Sequence, residues 1–293
     1  MVLNLKGTGV AIVTPFNTKN EVDYTSLTKL IEHIITNKIE YVVVLGTTGE
    51  SVTLSKEEKR EVVKHVVRTV NARVPIVLGL GGSNTAEIVE AFENLDFSGI
   101  SAILSVSPYY NKPTQEGIYQ HYKAISEKSP LPIILYNVPG RTASNITAAT
   151  TLRLANDFKN IIAIKEASGI IEQTMQIIKN RLPGFLVISG DDNLTLPIMS
   201  AGGDGVISVV ANAFPKEFSE MVRKCLANDF HAARELHYKT FEITEQLFAD
   251  GNPAGIKAAL KLLHICDDLI RLPLVKINST VFKKLEELIK KGN

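Results

Sequence analysis

Tryptophan is absent from the chain, and cysteine occurs only twice, at Cys225 and Cys266. The two lie far apart and make neither a metal-ligand nor a redox spacing, which argues against a disulfide framework and for a reducing, cytoplasmic setting. Neither sign of charge dominates, since 32 Lys and Arg face 31 Asp and Glu. That balance leaves no electrostatic case for a polyanionic partner such as nucleic acid. No stretch approaches the ~20 uncharged apolar residues of a membrane span. Residues 1–7 carry no basic segment leading into a long apolar one, so neither export nor membrane insertion is expected.

What the chain does have is a period. Short, apolar, β-branched runs occur at 10–13, 41–45, 76–79, 102–105, 133–136, 161–165, 186–189 and 205–208. Most are apolar throughout rather than alternating, as parallel strands covered on both faces should be. Their starts lie about 28 residues apart, the length of one βα unit with its loops. Amphipathic segments fill the gaps. Leu27, Leu30, Ile31, Ile34 and Ile35 fall on one helical face, and Ser55 with Glu58 forms a capping box. Eight such units predict a (β/α)8 barrel, an α/β fold that needs about 250 residues; an open doubly wound sheet is the alternative.

From about residue 215 onward the strand signals stop, and helices are predicted at 215–226, 230–249, 253–263 and 279–290. The first completes a catalytic barrel over 1–227. The rest make a helical extension, 228–293, expected to pack on the barrel because no Pro- or Ser-rich linker separates them.

Barrel chemistry sits where strands end, so polar residues closing apolar runs are the candidates. The second run closes in Gly46-Thr47-Thr48-Gly49-Glu50-Ser51, whose glycines and successive amides suit either an anion nest or an ordinary capped turn. The fourth leads into Pro108-Tyr109-Tyr110-Asn111. In an extended segment the two tyrosines would point opposite ways, to packing, an interface or the site. The fifth closes in Tyr136-Asn137-Val138-Pro139-Gly140-Arg141. Arg141 is either a bidentate carboxylate ligand or a surface cation. The sixth is the sharpest, because Lys165 follows four apolar residues, Ile161 to Ile164. Apolar surroundings disfavour the ammonium form of any lysine. They thereby favour the neutral amine that attacks a ketone to form an imine. A lysine snorkelling from a strand end is the plainer alternative.

Other chemistries find little support. Gly79-Leu80-Gly81-Gly82-Ser83-Asn84 begins like a dinucleotide fingerprint but has Asn at its sixth position. All six histidines are expected in helices and none closes a strand, so no metal is expected at the mouth. The Gly202-Gly203-Asp204-Gly205 turn lies near where some barrels bind phosphate, but glycine alone is weak evidence.

Together, Gly46-Thr47-Thr48-Gly49-Glu50-Ser51, Pro108-Tyr109-Tyr110-Asn111, Tyr136-Asn137-Val138-Pro139, Ile164-Lys165-Glu166-Ala167, Ser189-Gly190-Asp191-Asp192 and Gly205-Val206-Ile207-Ser208 resemble the dihydrodipicolinate synthase / N-acetylneuraminate lyase superfamily, in the same order and along essentially the whole chain. Arg141 and the paired threonines and tyrosines point to the synthase branch. The resemblance implies condensation of pyruvate with L-aspartate 4-semialdehyde, giving 4-hydroxy-tetrahydrodipicolinate on the diaminopimelate route to lysine, with no cofactor. In it Lys165 forms the imine, Tyr136 moves protons, and Thr47 and Tyr110 complete a hydroxyl relay. Thr48 and the backbone at Gly190 and Ile207 would hold pyruvate, and Arg141 the semialdehyde carboxylate. A homotetramer of tight dimers, with Tyr110 reaching the neighbouring site, is likewise implied. A sister aldolase acting on a keto-deoxy sugar acid or sialic acid, and a non-catalytic keto-acid-binding barrel, are the alternatives.

Two departures from the pattern stand out. Lys56 and Lys59 replace histidines of lysine-inhibited members, so inhibition by L-lysine is expected to be weak or absent. Asn252-Pro253-Ala254-Gly255 replaces a more usual Pro-x-Pro, with an effect expected on the packing of the tail rather than on the chemistry.

Overall fold

A computed structural model describes residues 3–292. Eight parallel strands close a barrel in sequence order, β1 to β8, with β1 pairing both β2 and β8. They are β1 Gly7–Ala11, β2 Tyr41–Val44, β3 Ile76–Gly79, β4 Ala102–Val106, β5 Ile133–Asn137, β6 Ile161–Glu166, β7 Leu186–Ser189 and β8 Gly205–Ser208. Closure settles the choice against the open sheet. The helices between strands are α1 Tyr24–Thr36, α2 Lys56–Val70, α3 Thr85–Asn94, α4 Gln115–Lys128, a single turn α5 Pro139–Thr142, α6 Ala148–Asp157, α7 Ile171–Asn180 and α8 Thr195–Ser200. After β8 come α9 Pro215–Leu226, α10 Phe230–Ala249, α11 Ala254–Leu262 and α12 Ser279–Gly292.

Local chemistry sets these boundaries. The Ser55 side chain accepts from the Glu58 amide and Glu58 returns a bond to Ser55, the capping box read from the sequence. Asp23, Asn84, Thr114 and Thr147 cap α1, α3, α4 and α6 in the same single-sided way. Alternate strand residues fill the barrel interior, among them Tyr41, Val43, Leu104, Ile134, Tyr136, Ala163, Ile188 and Ile207. The other face packs against the helices, which is why the strands read as unbroken apolar runs.

The first strand lies earlier than predicted, at 7–11 rather than 10–13. Gly7-Thr8-Gly9 lacks apolar bulk because the large Tyr41 ring occupies the space beside it. A Cβ on Gly9 would lie 2.1 Å from that ring. One histidine also departs from expectation: His264 lies beyond the end of α11, with a positive φ of 57°. The glycine turn 202–205 leads into β8, whose first residue is Gly205, and so belongs to the barrel's N-terminal end, away from the mouth. There Asp204 accepts from Arg181 and from the Val187 amide. Among the described residues no helix is long and apolar enough to cross a membrane.

Candidate active site

Register brings the mouth together. Val106 pairs with Tyr136, Tyr136 with Lys165, and Lys165 with Ile188, so one layer runs from β4 to β7 at the strand ends. Lys165 is only 6% exposed, and its Nζ lies 4.4 Å from the centroid of the Tyr136 ring. Room for its side chain comes from Gly190. A Cβ there would lie 3.0 Å from Lys165 Cε and 2.6 Å from Ala167 Cβ, so glycine is needed for close approach. Ile207 is buried in the same interior cluster as Tyr136.

Behind this layer, side chains that alternate outward lock β5 to β6. Asn137 Nδ2 donates to both oxygens of Glu166, at 3.2 and 3.1 Å, and to Asn145 Oδ1 at 2.8 Å. Gln173 Nε2 and the Ser168 amide donate to Glu166 at 3.1 and 2.7 Å. Asn137 Oδ1 accepts from the Ile146 amide at 2.9 Å. A buried carboxylate with four donor contacts is well compensated, and it fixes the strand ends that carry Tyr136 and Lys165.

Between β7 and β8, Asp192 is buried and accepts from Ser208 Oγ at 2.5 Å and the Val209 amide at 3.1 Å. Burial pushes its carboxyl up to about 6; these two bonds, and to a smaller extent the charge of Lys165, pull the other way.

The β2 side is built differently. Residues Thr47–Gly49 form a 3-10 turn in which Thr47 is exposed and Thr48 is 2% exposed. The two glycines of the turn differ, since a Cβ on Gly46 would meet only Val43 Cγ1, at 3.8 Å. A Cβ on Gly49 would meet the Ile12 carbonyl oxygen at 3.3 Å, so at Gly49 the close approach is to the backbone just after β1. Glu50, with a left-handed φ of 51°, is buried and ion-paired with Lys257, itself fully buried. The Arg271 amide donates to the other Glu50 oxygen at 3.1 Å. Burial lowers the Lys257 pKa, and Glu50 opposes that shift.

Thr48 Oγ1 accepts from Asn252 Nδ2 at 3.0 Å, and Arg141 Nη2 donates to the Asn252 carbonyl at 3.5 Å. Asn252 therefore reaches the mouth itself, beyond the packing effect expected of its turn.

Thr47, Tyr136 and Arg141 line one cavity of about 310 Å³ with Val52, Leu104 and Tyr109. Lys165 stands behind Tyr136 rather than on the cavity wall. A larger depression of about 550 Å³, between Asp23, Lys29 and Lys261, holds none of the candidate residues. Tyr110 is the outlier. It is 92% exposed, with φ at 74°, so the 109–110 segment turns instead of running extended. Ser83 Oγ ties that turn down through the Tyr109 amide and carbonyl, at 3.1 and 2.8 Å.

Local sequence reading finds Lys165, Tyr136 and Arg141 because each closes or follows a strand. It does not find Asn252, which acts across 204 residues. Lys257 did leave a signal, a charge flanked by Ile256 and Ala258 in an apolar helix.

Comparison with known proteins gives a consistent result. The chain is 53% identical to the 4-hydroxy-tetrahydrodipicolinate synthase of Parabacteroides distasonis, over 98% of this chain and 97% of that protein. It superposes on the chloride-inhibited dihydrodipicolinate synthase of Acinetobacter baumannii, solved with pyruvate, with a TM-score of 0.95, 42% identity and 99% coverage of each chain. A monomeric dihydrodipicolinate synthase variant is similar at a TM-score of 0.95 and 38% identity, over 98% of this chain and 96% of that one. Residues 4–292 match the family model as well, and the chain belongs to the dihydrodipicolinate synthetase family.

Proposed function

We propose that the chain condenses pyruvate with L-aspartate 4-semialdehyde to give 4-hydroxy-tetrahydrodipicolinate and water, a lyase-class aldol reaction on the diaminopimelate route to L-lysine. The observation that carries this reading is Lys165, buried at a strand end against Tyr136 with Gly190 leaving its side chain room. Its amine attacks the pyruvate ketone, and loss of water gives the imine. Loss of a methyl proton then gives an enamine whose carbon attacks the aldehyde. The amine of the semialdehyde displaces Lys165 as the ring closes.

Tyr136, in contact with Lys165, moves protons in these steps, and Thr47 and Tyr110 extend the relay. Thr48, with backbone at Gly190 and Ile207, holds pyruvate. Arg141, on the cavity wall, holds the semialdehyde carboxylate. In this reading residues 1–227 carry the chemistry and 228–293 brace it. The exposure of Tyr110 supports a tight dimer in which it reaches the neighbouring site, two dimers making a tetramer. Two buried, unpaired cysteines suit the cytoplasm.

Incubation with pyruvate and borohydride tests the reading. A three-carbon adduct should map to Lys165 and be absent from Lys165→Ala, whose turnover should fall on the order of a thousandfold or more with the fold kept. No adduct, or an adduct on another lysine, sinks the mechanism. A coupled assay over a panel of aldehydes tests the second substrate. Arg141→Ala should raise KM for the semialdehyde, because hydrogen bonds to a charged group contribute on the order of 1.5–3 kcal/mol each. Faster turnover with a sugar-derived aldehyde would move the chain to the sister aldolases.

A further inference from the structure

Asn252 belongs to the turn between α10 and α11, in the part of the chain that follows the barrel, yet its side chain is 7% exposed and meets Thr48 at the β2 turn. The Asn252 amide presents its nitrogen to Thr48. An amide nitrogen only donates, so Thr48 Oγ1 must accept. A threonine hydroxyl carries one proton, and among the described residues the Thr48 proton meets no protein acceptor. The proton is thus left for something outside the chain. Asn252 Oδ1 is likewise buried, with no protein partner, which costs free energy. Its backbone carbonyl, meanwhile, receives Arg141.

We propose that Asn252 is a positioning residue that commits the Thr48 hydroxyl to donate to the carboxylate of bound pyruvate. This rests on the reading above, in which Thr48 contacts pyruvate. Without Asn252 the hydroxyl is free to turn its proton elsewhere, and pyruvate loses one oriented donor. An aspartate at 252 does worse, since its carboxylate accepts from Thr48 and takes the proton pyruvate needs.

Steady-state kinetics on Asn252→Ala, Asn252→Asp, Thr48→Val and the double variant Asn252→Ala/Thr48→Val test the assignment, alongside borohydride trapping at graded pyruvate. Asn252→Ala should raise the pyruvate KM about three- to tenfold, the worth of one hydrogen bond, with kcat changed far less. Asn252→Asp should exceed that rise. In the Thr48→Val background, Asn252→Ala should add nothing to the pyruvate KM, a non-additivity that a purely structural asparagine would not show. Should Asn252→Ala fail to fold, the isosteric Asn252→Asp carries the test alone.

An unchanged pyruvate KM in these variants, with normal trapping at Lys165, overturns the positioning role and leaves the functional reading standing. So does an equal rise from Asn252→Ala with and without the Thr48 hydroxyl. A wild-type chain that traps no pyruvate overturns both.

Discussion

On the β5/β6 side of the mouth, Asn137 and Glu166 are buried and tied to each other, to Asn145, to Gln173 and to backbone amides. On the β2/β4 side, Thr47 and Tyr110 are exposed, Val52 is 86% exposed, and Glu50 is held by groups from the far end of the chain. Tyr136 and Arg141 from the first side and Thr47 and Val52 from the second line the same cavity. The difference follows from what each must do. In the proposed reaction Lys165 and Tyr136 need fixed geometry, and strands that share a hydrogen-bonded layer supply it locally. The hydroxyl relay and carboxylate contact proposed for the other residues would sit on loops, which take their order from whatever packs against them.

The comparison can be broken most severely at Lys257. Lys257→Met keeps the volume and leaves Glu50 as an unpaired buried charge, which should cost about 3–5 kcal/mol in urea unfolding. The disturbance should be concentrated in amide exchange across the β2 turn while the β5/β6 wall keeps its protection. An unchanged unfolding midpoint would show that the tail does not support the β2 side.

A smaller effect, on activity alone, is expected at Tyr110. Tyr110→Phe should lower turnover by about a hundredfold, the low end for a positioned proton-transfer group. Mixed with Lys165→Ala under conditions that exchange subunits, it should recover activity above the sum of the two variants. Each mixed dimer then has one site with an intact Lys165 and a neighbour's Tyr110. Exchange without recovery would mean that Tyr110 serves its own chain or only packing.

The smallest expected effect is at Glu166. Glu166→Gln keeps the shape but sets a new donor against the Asn137, Gln173 and Ser168 donors, at a cost of about 1–3 kcal/mol. Stability and kcat should both fall, while amide exchange at the exposed 109–110 turn should not change. A variant as stable and active as the wild type would show the wall to be more locked than its chemistry requires.

The same contrast explains what was legible in the amino-acid sequence. Strands covered on both faces read as apolar runs, so seven of the eight stood where expected. β1 hid because Gly9 yields its space to Tyr41. Lys165 was visible as a charge closing an apolar strand, and Tyr136 and Arg141 as the polar end of the preceding one. Glu166 is visible only as part of a motif, since local pattern cannot say that a carboxylate next to Lys165 turns outward to hold β5. The asparagine on Thr48 and the lysine on Glu50 act across 204 and 207 residues, and no local period records a contact of that span.

The Glu50–Lys257 pair has a consequence for the chain as it is made. During synthesis β8 and α9 emerge first, so strands and covering helices can associate before the last part of the chain exists. Glu50 would then be without its cation, the Arg271 amide and the Asn252 contact to Thr48. The β2 turn can gain all of these contacts only once residues up to 271 have left the ribosome. A product terminated before residue 252 would lack all three of these contacts to the β2 turn.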